Sequence, residues 1–232
     1  QINLTAGLEG GNIDLDNSDI VASGVATLLA PEGFILHVGG REGIGGTSLV
    51  ARAKSGVTAN LVVQLADVIV TGEGDIDLSI NHRSDGSPVD LERVETFDGK
   101  INIVATGDLI ARNVLTTNPV EGNDIEIVTL ADPLGLPLLT IGNVQTSKDR
   151  TMVLNSAGSV DMLDGGFITT GLLDITAQSL IDIDIEADTL ELTTTGSSNA
   201  IIREADTVEV VSAAISAGTL FLSSVGDLFI QT

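Results

Sequence analysis

The sequence predicts an all-β fold built as a parallel β-solenoid, and three observations lead there. The first is an internal repeat, Thr-φ-x-φ-x-x-x-Gly (φ apolar, Lys admitted first), found from Lys100 to Gly107, Thr151 to Gly158, Thr189 to Gly196 and Thr219 to Gly226. The second is the scarcity of large rings. With no Trp, no Tyr and 5 Phe in 232 residues, the core has to be made of thin layers of Ile, Leu, Val and Ala, which suits stacked strands better than a rounded domain. The third is a shortage of two-residue hairpin turns such as Asn-Gly, which a sandwich or barrel of many short antiparallel strands would need.

Taken in order, residues 1–24 hold three short period-two bursts, INLTA, NIDLD and DIVAS, separated by Gly7, Gly10-Gly11 and Asn17-Ser18. ATLLA (26–30) and GFILHV (33–38) flank a Pro31-Glu32-Gly33 turn. The glycine-rich run 39–46 reads as a glycine-lined turn. A phosphate loop would be followed by a helix, whereas TSLVARA continues as strand. Three more bursts fill 57–81, and the pattern resumes in VDLERVE and GKINIVATGDLIARNVLTT. Polar, turn-forming segments interrupt it at 82–88, 118–123 and 131–137, and four of the five prolines fall there, where they cannot damage a ladder.

The most regular stretch is 182–226, where, continuing from Ile181, the residues Ile183, Ile185, Leu190, Leu192, Val208, Val210, Leu220 and Leu222 alternate with polar residues. Even AQSLIDIDIEAD fits period two better than 3.6, so no helix is predicted. The motif starts lie 51, 38 and 30 residues apart, which implies coils carrying insertions of unequal length. Coils of about 20–25 residues would give roughly ten turns and a rod on the order of 50 Å long. Ile101, Ile103, Met152, Leu154, Leu190, Leu192, Leu220 and Leu222 are the expected core ladders, with Asn102, Val153, Glu191 and Phe221 facing out.

The chain is expected to be one solenoid segment over 1–232, part of something longer or self-assembling. It opens on QINLTAGLEGG, without an initiator Met or signal peptide, and closes on the strand-like DLFIQT instead of a polar cap.

ADTLELTTTGSSNAIIREADTVEV (187–210), SAGTLFLSSVGDLFI (216–230) and GKINIVATGDLIARNV (99–114) carry a family resemblance. The sequence resembles the β-strand repeat regions of giant bacterial surface proteins, the filamentous-haemagglutinin-like and autotransporter-type exoproteins. The resemblance is clearest over the last third of the chain. It implies a right-handed parallel β-helix, export to the cell surface and a structural or adhesive role as spacer, fibre or surface-layer element, and it supplies no binding residues.

The formal charge of −23 sets aside nucleic acid and anionic membrane surfaces as partners and favours divalent cations. No apolar run reaches the roughly 18–20 residues of a membrane-spanning helix. Without Cys there is no disulfide framework, thiolate metal site or cysteine nucleophile, and with only His37 and His82 a hydrolytic triad is not expected; the chain reads as a non-enzyme. His37 lies in a strand burst and His82 in a loop beside Arg83 and Asp85.

The candidate metal ligands are carboxylates that alternate with apolar residues and so share one strand face: Asp75 and Asp77, and Asp182, Asp184 and Glu186. Asp14 and Asp16 alternate likewise. Calcium is the cofactor such a surface admits, though neither the Gly-Gly-x-Gly-x-Asp nonapeptide nor an EF-hand loop is present. The same carboxylates set up the alternative function, a polysaccharide-degrading or polysaccharide-binding β-helix. The expected partners are neighbouring repeats or copies stacked end to end, and a surface ligand held by the three loops.

Overall fold

The structure is a computed structural model that describes every residue except Leu8, Asp16, Asn17, 40–42, His82, 119–121, Asn123 and Thr232. Three short sides, β1 (Ile2–Thr5), β2 (Ile13–Asp14) and β3 (Ile20–Val21), open the stack. They are followed by β4 (Val25–Ala30), β5 (Ile35–His37), β6 (Ile44–Ala53), β7 (Val57–Glu73) and β8 (Ile76–Ile80). Down the middle come β9 (Val89–Asp98), β10 (Ile101–Thr106), β11 (Leu109–Thr116), β12 (Ile125–Leu130), β13 (Leu138–Gln145) and β14 (Thr151–Ser156). The long strands β15 (Ser159–Ala177) and β16 (Ile181–Ser197) bend from one side onto the next, and β17 (Ala200–Glu204), β18 (Val208–Ala217), β19 (Leu220–Ser224) and β20 (Leu228–Ile230) end the described stack.

Among the described residues every strand ladder is parallel and there is no helix, and the coils stack in about ten turns as a β-solenoid. Inward residues line up in columns. One passes through Ile13, Ile35, Val57, Ile76, Ile101, Ile125, Met152, Leu173, Leu190, Val210 and Ile230, each paired with the next. A second passes through Leu4, Leu28, Ala51, Val68, Val94, Val114, Val144, Ile168 and Ile185 and then reaches Glu204. Each fully buried Leu, Ile or Val in such a column contributes about 1.5–3 kcal/mol, so aliphatic layers alone can hold the rod together.

Several polar groups inside the core satisfy one another. The Thr116 hydroxyl donates to Thr146 at 2.9 Å and that of Thr129 to Ser156 at 2.8 Å, each one coil on. Glu204, 2% exposed, accepts from the Ala187 and Asp206 backbone N–H groups. Burial pushes its carboxyl above the ordinary glutamate range despite those bonds, and nearby Glu186 adds to the effect.

Corners are fastened by side-chain oxygens that take a backbone N–H from the next coil. Asn12 accepts from Phe34, Asp19 from Gly43, Asp75 from Lys100, Asp108 from Leu138, Asp124 from Thr151 and Asn199 from Thr219. The glycine ending the repeat motif has an equally local cause: a Cβ at Gly158 would overlap the Pro137 carbonyl of the preceding coil.

Two expectations are corrected. Coil lengths are less even than 20–25 residues, running from 17 between Ile168 and Ile185 to 30 between Thr116 and Thr146. The motif is not one position in the coil: Ile101, Met152 and Leu190 share a column, but Leu220 pairs with Ala200 on the other ladder, and Leu220 and Leu222 are only partly buried.

Candidate functional site

The ladder that runs Ile80, Ala105, Thr129, Ser156 ends each time at the same corner. After β8 and again after Leu130 the chain leaves the stack, with 83–88 and 131–137 the described parts of the two loops, and it re-enters at Val89 and Leu138. The coil between them turns tightly, through Gly107 at φ 90° and Asp108, from β10 into β11. Two long loops therefore rise on either side of one short turn and meet above it. A Cβ at Gly86 would stand 3.3 Å from Leu134 Cδ1, which puts the loops in contact.

Each loop is tied down internally. Arg83 Nη2 donates to Asp85 Oδ2 at 2.8 Å and Ser87 Oγ donates to Asp85 Oδ1 at 2.7 Å, and these bonds hold the Asp85 carboxyl well below the usual carboxylate range. Across from it, Asp132 Oδ1 accepts from the Gly135 N–H at 3.0 Å, closing a turn that also pairs the two backbones. Asp108 Oδ1 accepts from Leu138 N–H at 2.8 Å, so the short turn anchors the exit of the second loop.

Between the loops lies a cavity of about 120 Å³. Thr106 and Asp108 come from the turn, Arg83 from the first loop, and Asp132, Leu134 and Leu136 from the second. Leu134 and Leu136 are 68% and 55% exposed, unlike the aliphatic residues of the coils below. Beside the first loop, a shallower depression of about 390 Å³ crosses Ser48, Leu65, Pro88 and Ile110.

The carboxylates singled out from sequence lie elsewhere and are already engaged. Asp182 and Asp184 share Arg203, with the Asp182 pair at 2.6 Å, and Glu186 pairs with Lys148 at 2.5 Å. These acidic neighbours push the Arg203 guanidinium and the Lys148 ammonium above their ordinary values, chiefly through the hydrogen bonds that the two cations donate to Asp182 and Glu186. Asp75 fastens a corner, and Asp77 accepts from the Asn102 amide at 3.4 Å. Among the described residues no group of three or more His, Asp or Glu could hold a metal ion.

His37 is buried, with Nε2 3.1 Å from the Ser18 carbonyl, an inward strand residue rather than a surface base. His82, Asp16 and most of loop 118–123 lie outside the described residues. In the chain that third loop lies between β11 and β12.

Sequence reasoning found both converging loops but not their convergence, and it missed Thr106 and Asp108. Asp108 did carry a signal: it follows the motif glycine, Gly107, much as the corner residue Asp75 follows Gly74. A comparison of the chain with family models, curated proteins and solved structures finds no match.

Proposed function

We propose that this chain is a structural and adhesive β-solenoid of the bacterial cell surface, a rigid spacer or fibre element with a lateral recognition site at its paired loops. The observation that carries the reading is the aliphatic column continuing coil after coil from Ile13 to Val210 while the loop insertions are kept to the corners. Such a stack resists bending because each coil is hydrogen-bonded to its neighbours along whole strands, and it offers loops as the variable surface. Coils of adjoining repeats, or of another copy, would cover Phe229 and Ile230, which stand 56% and 64% exposed at the last described coil.

Two measurements test this. Negative-stain microscopy is expected to show straight rods that lengthen by end-to-end joining at high concentration; rounded particles would end the scaffold reading. Antibodies to the 131–137 loop are expected to label intact source cells, and labelling only after lysis would end the surface assignment.

A second reading, a polysaccharide-active β-helix, draws on Arg203 standing between Asp182 and Asp184. It requires release of reducing ends from an acidic polysaccharide and loss of that release in Asp184→Asn; no release from pectate or alginate is the outcome expected of a scaffold.

A further inference from the structure

We propose that Glu204 makes the seam between β16 and β17 a proton-controlled opening point of the rod, closed when its carboxyl is protonated and the first place the stack parts when it is ionised. β17 rests on β16 through Ile181–Ala200, Ile183–Ile202 and Ile185–Glu204, so the carboxyl takes the last inward position of that seam. The same column holds only Leu, Ala, Val or Ile in the coils before it. Among the described residues Glu204 is the one buried carboxyl; the other buried polar side chains are His37 and hydroxyls.

The β16–β17 ladder stops at Glu204, and its side chain carries the contact further. Oε2 accepts the Ala187 N–H across the seam at 3.2 Å, and Oε1 accepts the Asp206 N–H of its own turn at 3.0 Å.

No cation among the described residues pairs with this carboxyl. Arg203 points outward to Asp182 and Asp184, and Lys148 is held by Glu186 at 2.5 Å. Glu186 and Asp188 on β16 and Asp206 in the turn add only negative charge; Glu209 on β18 accepts from the Gln231 amide, and β19 brings Ser223 and Ser224. Two backbone donors favour the carboxylate, but burial outweighs them and favours the acid. The closed seam therefore holds its proton more tightly than an open one, in which the carboxyl is hydrated and ordinary. Closure is strongest below the ordinary value of 4.5 and weakens as pH rises through the raised one.

The chain has no Cys, so a single introduced thiol reports opening. Ala200→Cys places it in the seam and Ala111→Cys in the middle of the stack, both at fully buried positions. Labelling of the full chain by a dipyridyl disulfide is followed at pH 4 and pH 7, each rate divided by that of the same variant unfolded in urea. Protection at Ala200→Cys is expected to fall severalfold between pH 4 and pH 7, and protection at Ala111→Cys to change much less. Adding Glu204→Gln should remove the pH dependence at Ala200→Cys. Glu204→Ile, which continues the aliphatic column, should remove it too and keep the seam closed at pH 7, so it decides the matter if the Gln variant opens the seam by itself. Unchanged protection at Ala200→Cys, an equal fall at Ala111→Cys, or a fall that survives Glu204→Ile would each overturn the proposal.

Discussion

The segments Thr189–Gly196 and Thr219–Gly226 spell the same motif, yet they meet different fates. Leu190 and Leu192 are 0% and 1% exposed, with Leu173 and Ile175 on one side and Val210 and Ala213 on the other. Among the described residues Leu220 and Leu222 pair only with Ala200 and Ile202, and Phe221, Val225 and Phe229 around them are exposed. An alternating strand chooses which side chains point inward. Whether the inside is dry depends on a second neighbour in the stack. In a solenoid, stability is therefore a property of interfaces between coils more than of any coil alone.

The sharpest way to break this contrast is to truncate the same motif position in both places. Leu192→Ala should cost about 2–5 kcal/mol, and Leu222→Ala roughly half of that or less, because its cavity opens to solvent. Since a coil stack need not unfold as one unit, local amide exchange is the proper readout. The amides of 189–194 should be far better protected than those of 220–230, and equal protection would refute the argument from neighbours.

Charge provides the next contrast. Around Asp67, burial acts to raise the carboxyl pKa, but hydrogen bonds from Arg93 and Arg52 outweigh it and hold the group below its ordinary value. Its stabilisation is thus present at neutral pH and lost as pH falls through the lowered value. Asp67→Asn should cost about 1 kcal/mol at pH 7, a modest figure because the pair is partly wet, and much less near pH 2.

Glu204 works in the opposite direction. Its carboxyl is raised above the ordinary value of 4.5, so its contribution is fully present below that value and is lost as pH rises through the raised one. After correction for intrinsic exchange, the Ala187 and Asp206 amides should be better protected at pH 4 than at pH 7, and Glu204→Gln should remove the difference. A wild-type difference that survives in the Gln variant would assign it to general charge repulsion instead. The smallest effect is expected at Val225, 85% exposed, where Ser should change stability by less than about 0.5 kcal/mol by denaturant titration.

Much of the coil was legible because strand period is a local property. Ile101, Ile103, Met152 and Leu154 are buried as the alternation predicts, Asn102 and Val153 face outward, and the three prolines of the two paired loops mark excursions from the stack. The alternation also carries Glu204 inward after Ala200 and Ile202, although a lone carboxylate at a core position reads first as a surface residue. The candidate site was legible only in pieces. The loops announce themselves by Gly, Pro and Asp, but Thr106 and Asp108 belong to a turn with ordinary composition.

Sequence by itself determined that this protein is all strand, which face of each strand is apolar, and where the ladder is interrupted, since side-chain alternation and turn chemistry act over a few residues. Only the tertiary structure decided which coil lies on which. Coil length varies from 17 to 30 residues, and no local signal counts it. That stacking sets loops 83–88 and 131–137 at the same corner with one coil between them, so that only their length brings them into contact. It also hands Asp182 and Asp184 to Arg203, and it places Leu220 on a different ladder from Leu190, because each contact joins residues a whole coil apart in the chain.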